Sequence, residues 1–156
     1  MTQIKFGTDG WRAVISDTFT FANLRLVSQA IADYVREENN SDPSVVIGFD
    51  TRFLSDRYAA EVARVMAANQ IQTWLARADT PTPAISYAVV NKKATAGVMI
   101  TASHNPAADN GYKAYWDNGA QIIPPHDRGI EAAMSAIASV RALKRLDRAE
   151  RARAGL

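Results

Sequence analysis

Ser103 is the residue of this sequence best placed to do chemistry. It stands in Ile100-Thr101-Ala102-Ser103-His104-Asn105-Pro106-Ala107-Ala108-Asp109-Asn110-Gly111-Tyr112-Lys113, between two apolar segments. Upstream, Ala96-Gly97-Val98-Met99-Ile100 reads as a buried strand; downstream, Gly111-Tyr112-Lys113-Ala114-Tyr115 alternates like a second one. The residues between are small, polar and turn-forming. Asn105-Pro106 and Asn110-Gly111 are turn signals, and Pro106 steers Asn105 out of helical geometry. A hydroxyl held at a strand end, with the His104 imidazole beside it and the Lys113 ammonium following, has the parts of a phosphoryl carrier. Residue types alone leave a second reading open, an ordinary strand-to-strand connection rich in Asx turns. A hydrolase triad is the weaker idea, because His104 adjoins Ser103 and the other histidine, His126, has no evident route to it.

Two further stretches carry groups of chemical interest. In Phe6-Gly7-Thr8-Asp9-Gly10-Trp11-Arg12 the glycines allow a sharp turn or close approach to a ligand, and Arg12 could offer a planar fork to a phosphate. Read alone, the segment is more commonly a turn with Arg12 on the surface. Asp50-Thr51-Arg52 follows Ser44-Val45-Val46-Ile47-Gly48-Phe49, a run dense in β-branched residues that predicts a buried strand. Carboxylate and guanidinium thus fall at a strand's C-terminal end, where open α/β sheets place ligands. The pairing reads first as an ion pair that fixes the following loop, with direct catalysis as the alternative.

The elements that must position these groups alternate along the chain. Phe21, Leu24, Val27, Ile31, Tyr34 and Val35 recur at helical spacing over residues 20–38, with Thr18 or Thr20 as the cap. Ser55 is the expected cap of a second helix with Val62, Val65 and Met66 inside. Ile71-Gln72-Thr73-Trp74-Leu75-Ala76 predicts a strand, and residues 84–91 a third helix with proline in its first turn and Lys92-Lys93 at its end. After the last strand come the turn Asp117-Asn118-Gly119 and a final helix striped by Ile130, Met134, Ile137 and Val140. His126 is expected on the surface or as a capping group. The order of strand, helix, strand, helix, strand, helix, strand, strand, helix argues a three-layer α/β domain with a mainly parallel sheet and one antiparallel strand.

The motifs also resemble a known family. Thr101-Ala102-Ser103-His104-Asn105-Pro106 is similar to the phosphoserine loop of the α-D-phosphohexomutases, the phosphoglucomutase/phosphomannomutase superfamily. Asp109-Asn110-Gly111-Tyr112-Lys113 and Asn118-Gly119-Ala120-Gln121-Ile122 continue the likeness in register, and the segment ending at Arg12 resembles the family's N-terminal signature. The resemblance implies an α/β/α domain with a four-stranded mixed sheet. It implies exchange of phosphate between the 1- and 6-positions of a hexose through a bisphosphate, with Ser103 as carrier. His104 and Lys113 would handle protons and charge, Arg12 would offset negative charge, and Thr101, Asn105, Asn110, Asp50 and Arg52 would bind phosphate or support the loop. It implies Mg2+, met in this chain only by Ser103 through its phosphate, since the family's Asp-x-Asp-x-Asp cluster is not in this sequence. The partners expected are the phosphosugar and later domains of the same enzyme. Residues 1–143 are then the phosphoserine domain, and residues 144–156 a charged helical extension or truncated linker. By itself the chain is expected to lack turnover. Phosphoglucomutase is the activity expected first, with phosphomannomutase and phosphopentomutase open. The competing class is a non-catalytic phosphate-binding or interaction module.

Composition fits this frame. The chain's 156 residues make one domain with room for a sizeable core. A net charge of +2, its basic excess near the C-terminal end, gives no nucleic-acid footprint over the body. No apolar stretch approaches a membrane span, and the first residues lack a secretory hydrophobic region. With no cysteine there is no disulfide or thiolate site, and the expected location is cytoplasmic.

Overall fold

Ile4 and residues 10–38, 41–137 and 143–153 are described by the computed structural model. Phe6, Gly7, Thr8 and Asp9 of the N-terminal motif, and Val140 of the last expected stripe, lie outside the described residues. Along the chain come β1 (Trp11–Val14), α1 (Phe21–Glu37), β2 (Ser44–Phe49), α2 (Ser55–Ala68) and β3 (Gln72–Leu75). Then follow α3 (Thr82–Lys92), β4 (Ala96–Ile100), β5 (Asp109–Trp116), α4 (His126–Ala136) and α5 (Arg148–Arg153).

The strands form one sheet in the order β1-β5-β4-β2-β3. It has five strands, not the four that the resemblance implied. The extra one is β1, which joins the edge beside β5 with Trp11 opposite Tyr112 and Arg12 opposite Gly111. β5 runs antiparallel to both neighbours, whereas β4, β2 and β3 run parallel. Val45 and Ile47 of β2 are fully enclosed, as the run of β-branched residues requires.

Helices cover the two faces unequally. α1 and α2 pack together against one face, and α4 packs on α1; α3 alone contacts β2, β4 and β5 on the other. The larger core holds Phe19, Leu24, Val27, Ile31, Val35, Tyr58, Met66, Val98, Ile100 and Tyr112. The smaller joins Ile85 and Val89 of α3 to Val46, Met99 and Tyr115. Thr20 is the cap of α1, its Oγ1 accepting the Asn23 N–H at 3.2 Å. The expected Ser55 cap is not made. Leu54 takes the position before α2 at a left-handed φ of 63°, with no side-chain cap, because the Ser55 hydroxyl is used elsewhere.

Other side chains expected at the surface have partners. His126 stacks on Trp116 with ring centroids 4.2 Å apart, and its Nδ1 lies 2.9 Å from the Tyr34 hydroxyl. Lys92 sits 5.0 Å over the Trp74 ring, while Lys93 closes α3 in the left-handed region. In the charged C-terminal stretch the helix begins only at Arg148, and residues 144–146 lie against α1 and α2. There the Lys144 N–H donates to Gln29 Oε1 at 3.0 Å, and the Leu146 N–H to the Arg64 carbonyl at 3.3 Å. Among the described residues no helix is long and apolar enough to cross a membrane.

Ile47 is fully enclosed at the centre of the sheet. Ile47→Ala is expected to lower unfolding free energy by about 2–5 kcal/mol through lost burial and a residual cavity. Urea titration should show a lower midpoint with an unchanged slope.

Candidate functional site

Phe49 of β2 pairs with Ile100 of β4, so both strands deliver their following loops to one end of the sheet. β5 begins at that end, with Asp109 opposite Val14 of β1. The loop of residues 101–108 is therefore rooted at both ends in neighbouring strands, and the Thr101 N–H extends the ladder to the Gly111 carbonyl at 2.9 Å. Thr101 and Ala102 are buried, and Ser103 and His104 are exposed. Ser103 adopts a left-handed φ of 56°, and its N–H donates to Thr101 Oγ1 at 2.9 Å. Two turns follow, closed by the Asn105 N–H on the Ala102 carbonyl and the Asp109 N–H on the Pro106 carbonyl, each at 3.0 Å.

Arg52 holds this loop by its backbone. Nη2 donates to the carbonyls of Ser103 at 2.8 Å and Asn105 at 2.7 Å; Nη1 donates to those of Pro106 at 2.8 Å and Asp109 at 3.0 Å. Nε lies 3.4 Å from the Asp50 carboxylate, and the side chain is 14% exposed. A lysine could not reproduce this, because the contact uses a flat fork of donors with a fixed spread. Asp50 is held in turn by the Arg52 N–H at 3.0 Å and the Ser55 hydroxyl at 2.8 Å, both on Oδ1.

Two asparagines complete the frame. Asn105 accepts from Arg12 Nη1 at 3.0 Å on Oδ1 and donates through Nδ2 to the Asp109 carboxylate at 2.9 Å. Asn110 is fully buried; it donates to Ser55 Oγ at 2.9 Å and the Phe53 carbonyl at 3.3 Å, and accepts the Gly111 N–H at 2.8 Å. The start of β5 is thereby fixed to the start of α2. Gly111 must lack a side chain, because a Cβ there would stand 2.4 Å from the Thr101 carbonyl oxygen.

Arg12 and Lys113 share one face of the sheet. Arg12 is opposite Gly111, and Lys113 is two residues further along β5, opposite Met99. They are diagonal neighbours, a spacing of about 7–8 Å between positions and within reach of long side chains. Lys113 is half-buried, and among the described residues neither it nor His104 has a hydrogen-bond or ion-pair partner. The cations thus divide by commitment. Arg52 has all its terminal donors on carbonyls, whereas the Lys113 ammonium is open to a ligand.

An open cleft of about 470 Å³ adjoins the loop, lined by Asp50, Thr51, Arg52, Phe53, Ser103, Asn105 and Ala107. Thr51, Phe53 and Ala107 are members that sequence reading did not foresee, and Ser55 was expected only as a cap. The signal for Ser55 was its place five residues after Asp50, across a loop short enough for the hydroxyl to return. For Thr51, Phe53 and Ala107 no side-chain pattern pointed to the cleft. Among the described residues there is no group of three or more His, Asp or Glu side chains that could hold a metal ion.

Removing the clamp tests its weight. Arg52→Ala and Arg52→Lys are each expected to cost about 2–4 kcal/mol, since charge-assisted hydrogen bonds are lost and carbonyls left poorly paired. Hydrogen exchange at the Asn105 and Asp109 amides should accelerate more than at Val98 in β4.

Residues 3–141 match the phosphoglucomutase/phosphomannomutase family at its alpha/beta/alpha domain I. The chain is 43% identical over 143 residues to a phosphopentomutase of Mus musculus, covering 85% of this chain and 23% of that protein. It is 42% identical over 139 residues to a glucose 1,6-bisphosphate synthase of the same organism, covering 82% of this chain and 22% of that one. Among solved structures, one from Thermus thermophilus described as a phosphomannomutase superposes with a TM-score of 0.83 at 36% identity, over 92% of this chain and 32% of that one. The chain therefore spans about a quarter of the length of these curated relatives. With its sheet, its helical layers and its serine loop accounted for, this chain belongs to the phosphoglucomutase/phosphomannomutase family, of which it carries domain I.

Proposed function

We propose that this domain carries the phosphoryl group of a phosphosugar mutase on Ser103. The observation that supports it most is the contrast at residues 101–104. Two buried residues and the Arg52 clamp hold the backbone, while Ser103 itself is left exposed at the mouth of the cleft.

In this reading the phosphoryl group leaves Ser103 Oγ for a sugar hydroxyl, the P–Oγ bond breaking as the new P–O bond forms. The hydroxyl proton passes to a base, for which His104 is the candidate, and Ser103 Oγ recovers a proton. The bisphosphate then returns its other phosphoryl group to Ser103, leaving the isomeric monophosphate. A transfer of this kind has a loose transition state that depends on positioning and charge rather than covalent assistance from the protein. Lys113 and Arg12 supply positive charge on the face they share. Phosphoserine brings about −1.5 to −2 charge, which Arg52 cannot bind directly because its terminal donors are occupied. Mg2+ bound at the serine phosphate would supply neutralising charge there, and Ser103, through that phosphate, is the one residue of this domain assigned to it.

The sugar is not read by this domain alone. Relatives named for a pentose and for glucose 1,6-bisphosphate are 43% and 42% identical to it. Glucose 1-phosphate is the proposed first substrate, with mannose and pentose phosphates next.

At the protein's native length, incubation with glucose 1,6-bisphosphate and Mg2+ should add one phosphoryl mass, mapped by peptide sequencing to Ser103. Ser103→Ala should abolish the label and lower turnover by at least about 10³-fold, the scale of losing a covalent carrier. Turnover retained in Ser103→Ala would overturn the assignment; reversible phosphate binding with no covalent change would favour a binding module.

A further inference from the structure

A second cluster of charge lies on the α1–α2 face, apart from the serine loop. Glu61 of α2 is nearly enclosed, its side chain 6% exposed, yet three guanidiniums end on it. Arg25 Nε of α1 and Arg145 Nε both approach Oε1, at 2.5 and 2.7 Å, and Arg64 Nη1 donates to Oε2 at 2.8 Å. Arg64 is otherwise committed to the Leu146 carbonyl, through Nε at 2.9 Å and Nη2 at 2.5 Å. One carboxylate against three cations leaves a positive excess. Burial first, then repulsion from Arg25 and Arg64, holds the Arg145 pKa below the ordinary arginine value, with Glu61 acting the other way.

The accessible members of the cluster are Arg25 and Arg145, with side chains 25% and 41% exposed. Each uses Nε on the shared oxygen, and no described residue accepts from the terminal amino groups of either. Arg25 also lies 6.0 Å from the centre of the Phe21 ring. An open cleft of about 700 Å³ lies alongside, its walls including Phe21, Phe53, Glu61 and Arg64; its one other acid, Asp56, is 3.5 Å from Arg57.

We propose that Arg25 and Arg145 form a second oxyanion site, taking a phosphate or phosphomonoester on their terminal amino groups. Two like charges sharing one carboxylate oxygen repel, and a dianion across their outer edges replaces that repulsion with charge-assisted hydrogen bonds. The planar guanidinium suits this geometry as an ammonium does not. Because Arg25 belongs to α1 and Arg145 to the stretch that follows α4, the bound anion also fastens residues 144–146 to the helical layer.

The test is titration of the native-length protein with inorganic phosphate, following the Nε–H signals of arginine by NMR and the melting temperature. Sodium chloride at matched ionic strength is the control. The Arg25 and Arg145 signals should shift saturably with phosphate, and both Arg25→Gln and Arg145→Gln should weaken that binding by about tenfold or more. Lys113→Met, which alters only the serine-loop site, should leave it unchanged. Glucose 6-phosphate in parallel identifies the source of the anion. Equal affinity assigns the site to phosphate alone, and tighter binding adds the cleft beside Phe21. Shifts confined to the serine loop and lost in Lys113→Met, or reproduced by chloride, would sink the proposal. The wild-type spectra decide the matter even if an arginine variant does not fold.

Discussion

The geometry of the serine loop depends on one cation that touches no side chain of that loop. Arg52 gathers four carbonyl oxygens that would otherwise point in toward one another and repel, and turns them into a single coordination pattern. The four bonds lie at the exposed or half-buried edge of the sheet, and each is strengthened by the charge of its donor. The loop can curl back on itself only because a flat, permanently charged group fills its centre. Asp50, Ser55 and Asn110 extend that arrangement to α2 and β5. The loop conformation is thus a property of the whole sheet edge.

The cations at this edge of the sheet divide into those that build the loop and those that are left open. Arg52 is structural because every direction in which it can donate is already taken. Lys113 is on the opposite footing, held in place by its strand and not by a partner. Arg12 stands between them: one donor fixes Asn105, while its register keeps it beside Lys113. Both asparagines act through amides that donate and accept at once, which lets each join two segments without adding charge.

Much of this was legible in the sequence, for identifiable reasons. The stripe of α1 and the enclosed run of β2 follow from periodicity and β-branching, both local signals. The place of Ser103 on a loop was legible because turn-forming residues isolate it between two strands. Arg52 and Asp50 were legible as a pair at a strand end. What Arg52 binds was not, because backbone carbonyls leave no trace in a pattern of side chains. The first strand stood in the expected order of elements, whereas the count of four came from the resemblance; its place at the sheet edge was hidden because pairing with β5 is a long-range fact. Ser55 was taken for a helix cap on local grounds and was claimed instead by Asp50. The docking of residues 144–146 was hidden for the same reason, since its acceptors come from α1 and α2 far earlier in the chain.

Leu54 and Ser103, one on each of the two loops that Arg52 brings together, both hold a left-handed backbone without being glycine. Each such residue costs about 1–2 kcal/mol relative to an ordinary conformation. Glycine would relieve that cost locally but would widen the unfolded ensemble and remove the groups themselves. Selection for thermal robustness therefore meets a floor at this edge of the sheet. One of these torsions lies under the Ser103 hydroxyl itself, so glycine there would remove the group that the loop presents.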